Sequence, residues 1–208
     1  MHGVLLVGGG QQQRAEGGGL FEGQHDELAA RSATGGDKLA HALGCDGSGR
    51  CAGEAEEAKE FLRFLLANDV GKLDEIGHAL YSAMLNHDGG IVDDLIVYRM
   101  NFGYRTVVNC ATREKDLNWM ADSSVGFDVI IEEKPDLAIL AVHGPEAIEK
   151  VCSVLPKYAD DIQQLSNFKG TDLGDFFVAR TGYTGEKGLE LIFPDSGATL
   201  LWLSLIHI

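Results

Sequence analysis

The 208-residue sequence lacks long hydrophobic runs and carries few cysteines. None of its apolar stretches approaches the roughly 20 residues that span a bilayer, and its start lacks the basic region of a secretory signal. Its four cysteines stand at irregular spacings with no Cys-x-x-Cys pair, a pattern that disfavours both a disulfide framework and structural zinc. We therefore expect a cytoplasmic protein that is not exported and binds no metal. Because no transit peptide is evident, the expected cytoplasm is bacterial.

Basic residues are also scarce, with 17 lysines and arginines against 32 acidic residues and a formal net charge of -15. Such a surface repels phosphate backbones and anionic lipids, so we expect neither nucleic acid nor a membrane as a partner. The composition, 45% hydrophobic and 24% charged, is that of an ordinary globular protein. A chain of this length can bury one good-sized core or two small ones.

Regular patterning is absent from residues 1–53, which hold 14 of the 27 glycines. A segment with so much glycine and no sustained period buries little surface against the entropy of ordering it. We predict three parts: a disordered or non-native segment over residues 1–53, a domain over 54–199, and an artefactual tail over 200–208. The closing hexapeptide, residues 203–208, resembles a translated sequencing adapter.

From residue 54 the sequence alternates helical and strand patterns. It predicts helices over 54–68, from a cap at Thr112 through residue 120, from about 144 through 151, and from about 196. It predicts strands over 79–86, 91–100, 104–109, 127–132, 137–142, 175–180 and 189–193. A Gly pair at 89–90 indicates a hairpin turn between the first two strands. The order favours an α+β fold, with mixed or antiparallel sheets and packed helices.

Two adjacent aspartates, Asp93 and Asp94, interrupt the apolar strand over residues 91–100. Successive strand side chains face opposite ways, so at least one carboxylate should be partly withdrawn from water. Such a group is retained where it has a chemical role or a hydrogen-bond partner. From the pattern alone, the alternative is an edge strand on which both carboxylates are solvated or bonded to nearby backbone.

Three glycines crowd the stretch 182–188, and Glu190 follows two residues later, within the next strand. This pattern predicts a tight hairpin. Taken alone, it is best interpreted as a turn followed by a solvated acid.

Together these stretches resemble the glycine cleavage T protein family, the aminomethyltransferases. The resemblance runs from about residue 57 to 199 and includes Asn-His-Asp-Gly-Gly-Ile-Val-Asp-Asp at 86–94. Further ordered blocks are Val-Val-Asn-Cys-Ala-Thr-Arg-Glu-Lys-Asp at 107–116, Ala-Val-His-Gly-Pro at 141–145 and Gly-Tyr-Thr-Gly-Glu at 182–186.

The resemblance implies a folate-dependent aminomethyltransferase that acts with the lipoylated H protein. The one-carbon unit passes from the aminomethyl-dihydrolipoyl arm to tetrahydrofolate, the co-substrate, and ammonia leaves. Asp94 matches the catalytic aspartate and Glu190 the pterin-binding glutamate. Further positions that line the folate pocket are matched by Tyr81, Leu85, Asn109 and Tyr183.

The sequence departs from the family in what it lacks. We find neither the amino-terminal blocks expected before residue 54 nor the later half of the family pattern, so we expect a fragment with little or no transferase activity. Relatives of this fold include folate-binding proteins that assist iron–sulfur cluster assembly, and these are the alternative. The family's distribution adds the mitochondrial matrix as the location if the source is eukaryotic.

Overall fold

The computed structural model describes residues 3–9, 29–32, 40–42, 51–181 and 187–206. In chain order, the described strands are β1 (Gly3–Gly9), β2 (Ala29–Ser32), β3 (Ala40–Ala42), β4 (Ala79–Leu85), β5 (Ile91–Met100), β6 (Gly103–Asn109), β7 (Ile130–Lys134), β8 (Leu137–His143), β9 (Gly170–Leu173), β10 (Phe176–Ala179) and β11 (Gly188–Pro194). The described helices are α1 (Cys51–Leu65), α2 (Arg113–Ser123), α3 (Ala147–Val154), α4 (Ala159–Gln164) and α5 (Ala198–Ile206).

Two sheets form the framework of the described chain. One has the order β1-β7-β3-β6-β5-β4, in which β4, β5 and β6 form an antiparallel meander and β1 runs parallel to β6 and β7. The other has the order β2-β8-β11-β10-β9 and its strand pairs are antiparallel. This arrangement confirms the predicted α+β class with mixed and antiparallel sheets.

Helices cover the outer face of each sheet, and the inner faces meet. Phe61 and Leu62 of α1 and Met120 of α2 pack with the meander in one core. Residues of α3, α4 and α5 pack against β8 and β11 in a second core. Between the sheets, Tyr98 and Met100 of β5 meet residues of β10 and β11 in a third cluster. Since strand side chains alternate, one face of β5 lines this inter-sheet region.

The predicted β4–β5 hairpin is confirmed, and its turn is built by Asn86 and Gly89. The Asn86 side-chain oxygen accepts from the backbone N–H of Asp88 at 3.0 Å and of Gly90 at 2.7 Å. Gly89 has a φ of 80°, the left-handed region that glycine enters at least cost. The pairing register of the two strands shifts between Met84 and Leu85 of β4, which pair with Asp93 and Ile91 of β5. The strand pair is therefore irregular next to the aspartate pair.

Several predicted boundaries were wrong. Helix α1 begins earlier and ends earlier than residues 54–68, and β7 begins three residues after the predicted start at 127. Both β9 and α4 were missed, since they are too short to show a clear period. Thr112 precedes α2 but makes no side-chain capping bond, because its hydroxyl donates to Asp93 instead.

The three-part division of the chain stays a prediction. Backbone strands β1, β2 and β3 lie within residues 1–53. At the other end, Leu201 and Leu205 of α5 are buried against the second core. Among the described helices, none has the length and hydropathy needed to cross a bilayer.

Candidate functional site

Asp93 and Asp94 lie on an interior strand. β5 pairs with β4 on one side and β6 on the other, so the alternative of an edge strand is wrong. Both residues are half-buried, and the Asp93 side chain is 14% exposed. An interior position for two acids needs hydrogen-bond donors around them.

Asp94 accepts one hydrogen bond on each carboxylate oxygen. The Tyr81 hydroxyl donates to Oδ2 at 2.7 Å, and the Asn109 side-chain amide donates to Oδ1 at 2.9 Å. The strand register explains both contacts. Tyr81 pairs with Ile96, two residues from Asp94 on the same face of the sheet, while Asn109 ends the other neighbouring strand. Each oxygen keeps a further lone pair for a ligand N–H.

The Asn109 amide bridges the two acids. Its nitrogen also donates to Asp93 Oδ1 at 2.9 Å, which uses both of its N–H groups on carboxylates. Asp93 additionally accepts from the Thr112 hydroxyl and from the Asp94 backbone N–H at 2.8 Å. Burial alone raises the pKa of Asp93, but bonds from Thr112, Asp116, the Asp94 backbone and Asn109 together hold it below 3.8.

Sequence reasoning missed the burial of Asp116. The pattern places this residue in the first turns of α2, where acids are common, yet its side chain is fully buried. Burial, then hydrogen-bonding contact with Asp93 and the charge of Asp93, raise the pKa of Asp116 to about 7. The spacing within α2 could have indicated this burial, because Asp116 stands four residues before the buried Met120 and therefore lies on the same helix face.

Glu190 lies on the second sheet, within β11 between β8 and β10. It shares its strand face with Ile192 of the inter-sheet cluster, whereas Leu189 and Leu191 face the helices. The interpretation of a solvated acid is therefore wrong. Thr181, which is 1% exposed, donates its hydroxyl proton to Glu190 Oε2. Burial is the main reason that the pKa of Glu190 is raised above 4.5.

A buried tyrosine connects the two strands that carry the acids. Tyr98 of β5 is 1% exposed, and its hydroxyl lies 2.8 Å from Thr181 Oγ1. Since Asp94 stands four residues before Tyr98 on the same face, the two Cα atoms are about 13 Å apart along the strand. Asp94 therefore lies on the face of β5 that is directed toward the second sheet, and Glu190 on the face of β11 that is directed toward the first. Sequence reasoning did not predict the roles of Tyr98 and Thr181.

The other predicted pocket residues are placed differently. Leu85 is half-buried at the end of β4, and its carbonyl accepts from the Trp119 indole at 3.1 Å. Tyr81 is 48% exposed beside Asp94. Tyr183 lies outside the described residues, as does the rest of its hairpin over 182–186. In the described part of the chain, no group of three or more His, Cys, Asp or Glu residues is arranged to hold a metal ion.

Sequence comparison finds aminomethyltransferases. The family described as "GCVT N-terminal domain" matches residues 47–208. The chain is 55% identical over 138 residues to the aminomethyltransferase of Chromobacterium violaceum, covering 66% of this chain and 38% of that protein. It is 49% identical over 151 residues to the aminomethyltransferases of Alcanivorax borkumensis and Legionella pneumophila, covering 72% of this chain and 42% of each relative.

Structural comparison gives the same family. The glycine cleavage system aminomethyltransferase T from Bartonella henselae superposes with a TM-score of 0.62 and 31% identity, over 72% of this chain and 40% of that one. The chain thus spans about two-fifths of the length of the relatives it matches. Because the match covers more than half of the sequence and includes both acid-bearing strands, the chain belongs to the GCVT N-terminal domain family of aminomethyltransferases.

Proposed function

We propose that this chain supplies the catalytic and pterin-binding carboxylates of a folate-dependent aminomethyltransferase of the glycine cleavage system. The reaction transfers a one-carbon unit from the aminomethyl-dihydrolipoyl arm of the H protein to tetrahydrofolate, releasing ammonia and the dihydrolipoyl carrier. The observation that carries the proposal is the pair of hydrogen bonds by which Tyr81 and Asn109 orient the Asp94 carboxylate.

Asp94 is suited to act on an amine. Its two oxygens are held in place by a hydroxyl and an amide, both neutral donors. A fixed carboxylate can accept the proton of an attacking folate nitrogen and can stabilise the iminium-like cation that develops as ammonia leaves. Prior orientation by Asn109 reduces the reorganisation needed when that charge appears.

Glu190 is suited to bind the pterin ring. One of its oxygens accepts from Thr181, and each carboxylate oxygen has a second lone pair for adjacent N–H donors. Hydrogen bonds from such donors should be stronger than in water, since a charged acceptor in a region of low dielectric attracts an N–H group more strongly. Tyr81, Leu85, Asn109 and Tyr183 complete the proposed folate-contacting set, and the tyrosines offer flat faces to a flat ring.

The alternative function is a folate-binding protein that assists iron–sulfur cluster assembly without aminomethyl transfer. It would use Glu190 in the same way but would not require a carboxylate at position 94. For the aminomethyltransferase that we propose, the partners are the lipoylated H protein and tetrahydrofolate. The cytoplasmic location stays a prediction.

The test is a chimera in which the 138 residues of this chain that match the Chromobacterium violaceum aminomethyltransferase replace the corresponding segment of that enzyme. Formation of methylenetetrahydrofolate and ammonia is followed with aminomethylated H protein. Asp94→Asn should lower kcat by about 100-fold or more, the usual scale for a positioned acid–base group. Glu190→Gln should mainly raise the KM for tetrahydrofolate, because it removes a binding contact.

The matched control is Asp122→Asn, which makes the same chemical change on an exposed position of α2 and should leave both constants unchanged. Normal turnover by Asp94→Asn would refute the proposed mechanism. A chimera that binds tetrahydrofolate but releases no ammonia would favour the alternative. For the 208-residue chain itself, thermal stabilisation by added tetrahydrofolate would show a functional binding surface.

A further inference from the structure

The Asp116 carboxyl group is buried in an unusual environment. Its side chain is 0% exposed, and neither oxygen has a hydrogen-bond donor within the part of the chain that the structure describes. The Lys115 ammonium lies 3.8 Å from Asp116 Oδ1 and 3.9 Å from Asp93 Oδ2. These distances exceed a direct hydrogen bond, and half of the Lys115 side chain is exposed to solvent.

The neighbour of Asp116 is another acid. The Lys115 ammonium lies within 4 Å of the Asp93 and Asp116 side chains, and hydrogen bonding between them lowers the pKa of Asp93 and raises that of Asp116. Two carboxyl groups can form a hydrogen bond only if one of them carries a proton. Two adjoining carboxylates that both remained ionised would repel one another, and the buried one would also lack solvation.

The distribution of donors assigns the proton. Asp93 accepts from the Thr112 hydroxyl, the Asn109 amide and the Asp94 backbone N–H, all of which favour its ionised form. Asp116 lacks the amide and backbone bonds, and the Thr112 hydroxyl, whose contact slightly lowers the pKa of Asp116, donates to Asp93. The charged groups that face the pair are Lys115 from α2 and, through the shared Asn109 amide, Asp94 from β5. The proton therefore belongs on Asp116.

We propose that Asp116 is a positioning residue: its protonated carboxyl donates to Asp93, and Asp93 in turn holds the Asn109 amide that orients Asp94. Asn109 is the point through which the effect passes, because its single nitrogen donates to both acids at 2.9 Å. Loss of the Asp116 proton would place a second negative charge beside Asp93 and disturb that amide. We call this series of hydrogen bonds, from Asp116 to Asp93 and through Asn109 to Asp94, the relay. Its role in catalysis rests on the proposed function, whereas the existence of the hydrogen bonds does not.

The first experiment is a carboxyl-carbon NMR titration of the 208-residue chain between pH 4 and 9, with labelled aspartate and asparagine. One aspartate signal should titrate near pH 7, consistent with the burial and the contact with Asp93 that raise the pKa of Asp116. The signal should vanish in Asp116→Asn, and the Asn109 side-chain amide signals should shift over the same pH range in the wild type only.

The variants separate a positioning role from a merely structural one. Asp116→Asn keeps a neutral N–H donor and should leave the Asn109 amide signals near their wild-type low-pH positions at every pH. Asp116→Leu keeps the approximate shape without a donor and should shift them at every pH. If Asp116→Leu does not fold, Asp116→Asn and the wild-type titration still decide the matter.

The second experiment measures tetrahydrofolate affinity against pH. If binding requires the protonated form, affinity of the wild type should fall about tenfold between pH 6 and 8, whereas that of Asp116→Asn should stay level. Any of three results would overturn the proposal. No aspartate signal titrates above about pH 5.5; the Asn109 amide signals respond neither to pH nor to Asp116→Leu; or the chain shows no folded contact between β5 and α2.

The two proposals can fail separately. An intact NMR response with no tetrahydrofolate binding at any pH would refute the proposed function and leave the relay standing. Tetrahydrofolate binding with a flat NMR response would do the reverse.

Discussion

Replacing Thr181 by valine removes a hydroxyl that lies between buried Tyr98 and partly buried Glu190 while keeping the side-chain shape. Burial, and then the nearby Glu190 carboxylate, raise the pKa of Tyr98 well above 10, so the tyrosine keeps its proton. Because the Thr181 proton is directed at Glu190, Tyr98 is the donor in the 2.8 Å bond to Thr181. The substitution therefore takes from Tyr98 its acceptor at Thr181 and from Glu190 one of its donors.

The magnitude follows from the two lost bonds. A neutral hydrogen bond contributes about 0.5–1.5 kcal/mol and one to a charged group about 1.5–3 kcal/mol. We expect Thr181→Val to lower the free energy of unfolding by about 2–4 kcal/mol. The lower end applies if the Tyr98 hydroxyl turns to Glu190, which lies within its reach. The cavity contribution is small, since valine and threonine are nearly isosteric.

The assay is urea denaturation at neutral pH, with Thr181→Ser as the matched control. Serine keeps the hydroxyl and loses one buried methyl group, at a cost of about 1 kcal/mol. In the background of Glu190→Gln, Thr181→Val should cost less, because the charged bond is already gone. A loss below about 0.5 kcal/mol for Thr181→Val, or equal losses for the valine and serine variants, would refute this account.

Two further substitutions test burial in other places. Burial and Asp93 raise the pKa of Asp116 from 3.8 to about 7, so its contribution to stability is complete below pH 3.8 and is lost as the pH rises through about 7. This difference corresponds to about 4 kcal/mol, shared with Asp93 through coupling. We therefore expect the free energy of unfolding of Asp116→Asn, measured by urea denaturation, to rise relative to that of the wild type by about 2–4 kcal/mol between pH 4 and 8. The exposed substitution Asp122→Asn should not show this change. Separately, a Cβ added at Gly170 would lie 2.3 Å from the Phe177 ring, so Gly170→Ala should cost about 1–3 kcal/mol by thermal denaturation. Gly197→Ala, whose nearest contact would be an ordinary 3.7 Å, should cost much less.

Local patterns predicted much of the framework. The hairpin of β4 and β5 was predictable because alternating apolar residues flank a turn that needs a left-handed glycine, and such signals lie within a few neighbouring residues. The aspartate pair was visible for the same reason, since two acids contradict the apolar period around them. The short elements β9 and α4 were not predictable, because a strand of four residues and a helix of six give too little periodicity.

By itself the sequence determined the fold class, the family and the candidate acids Asp94 and Glu190, because these depend on residue type, order and local period. Only the tertiary structure decided which groups surround them. The Tyr98–Thr181 contact joins residues 83 positions apart, and the burial of Asp116 depends on how α2 packs against β5. Those contacts come from the packing of sheets and helices over long sequence separations, and local periodicity carries no record of the partner that a side chain will meet.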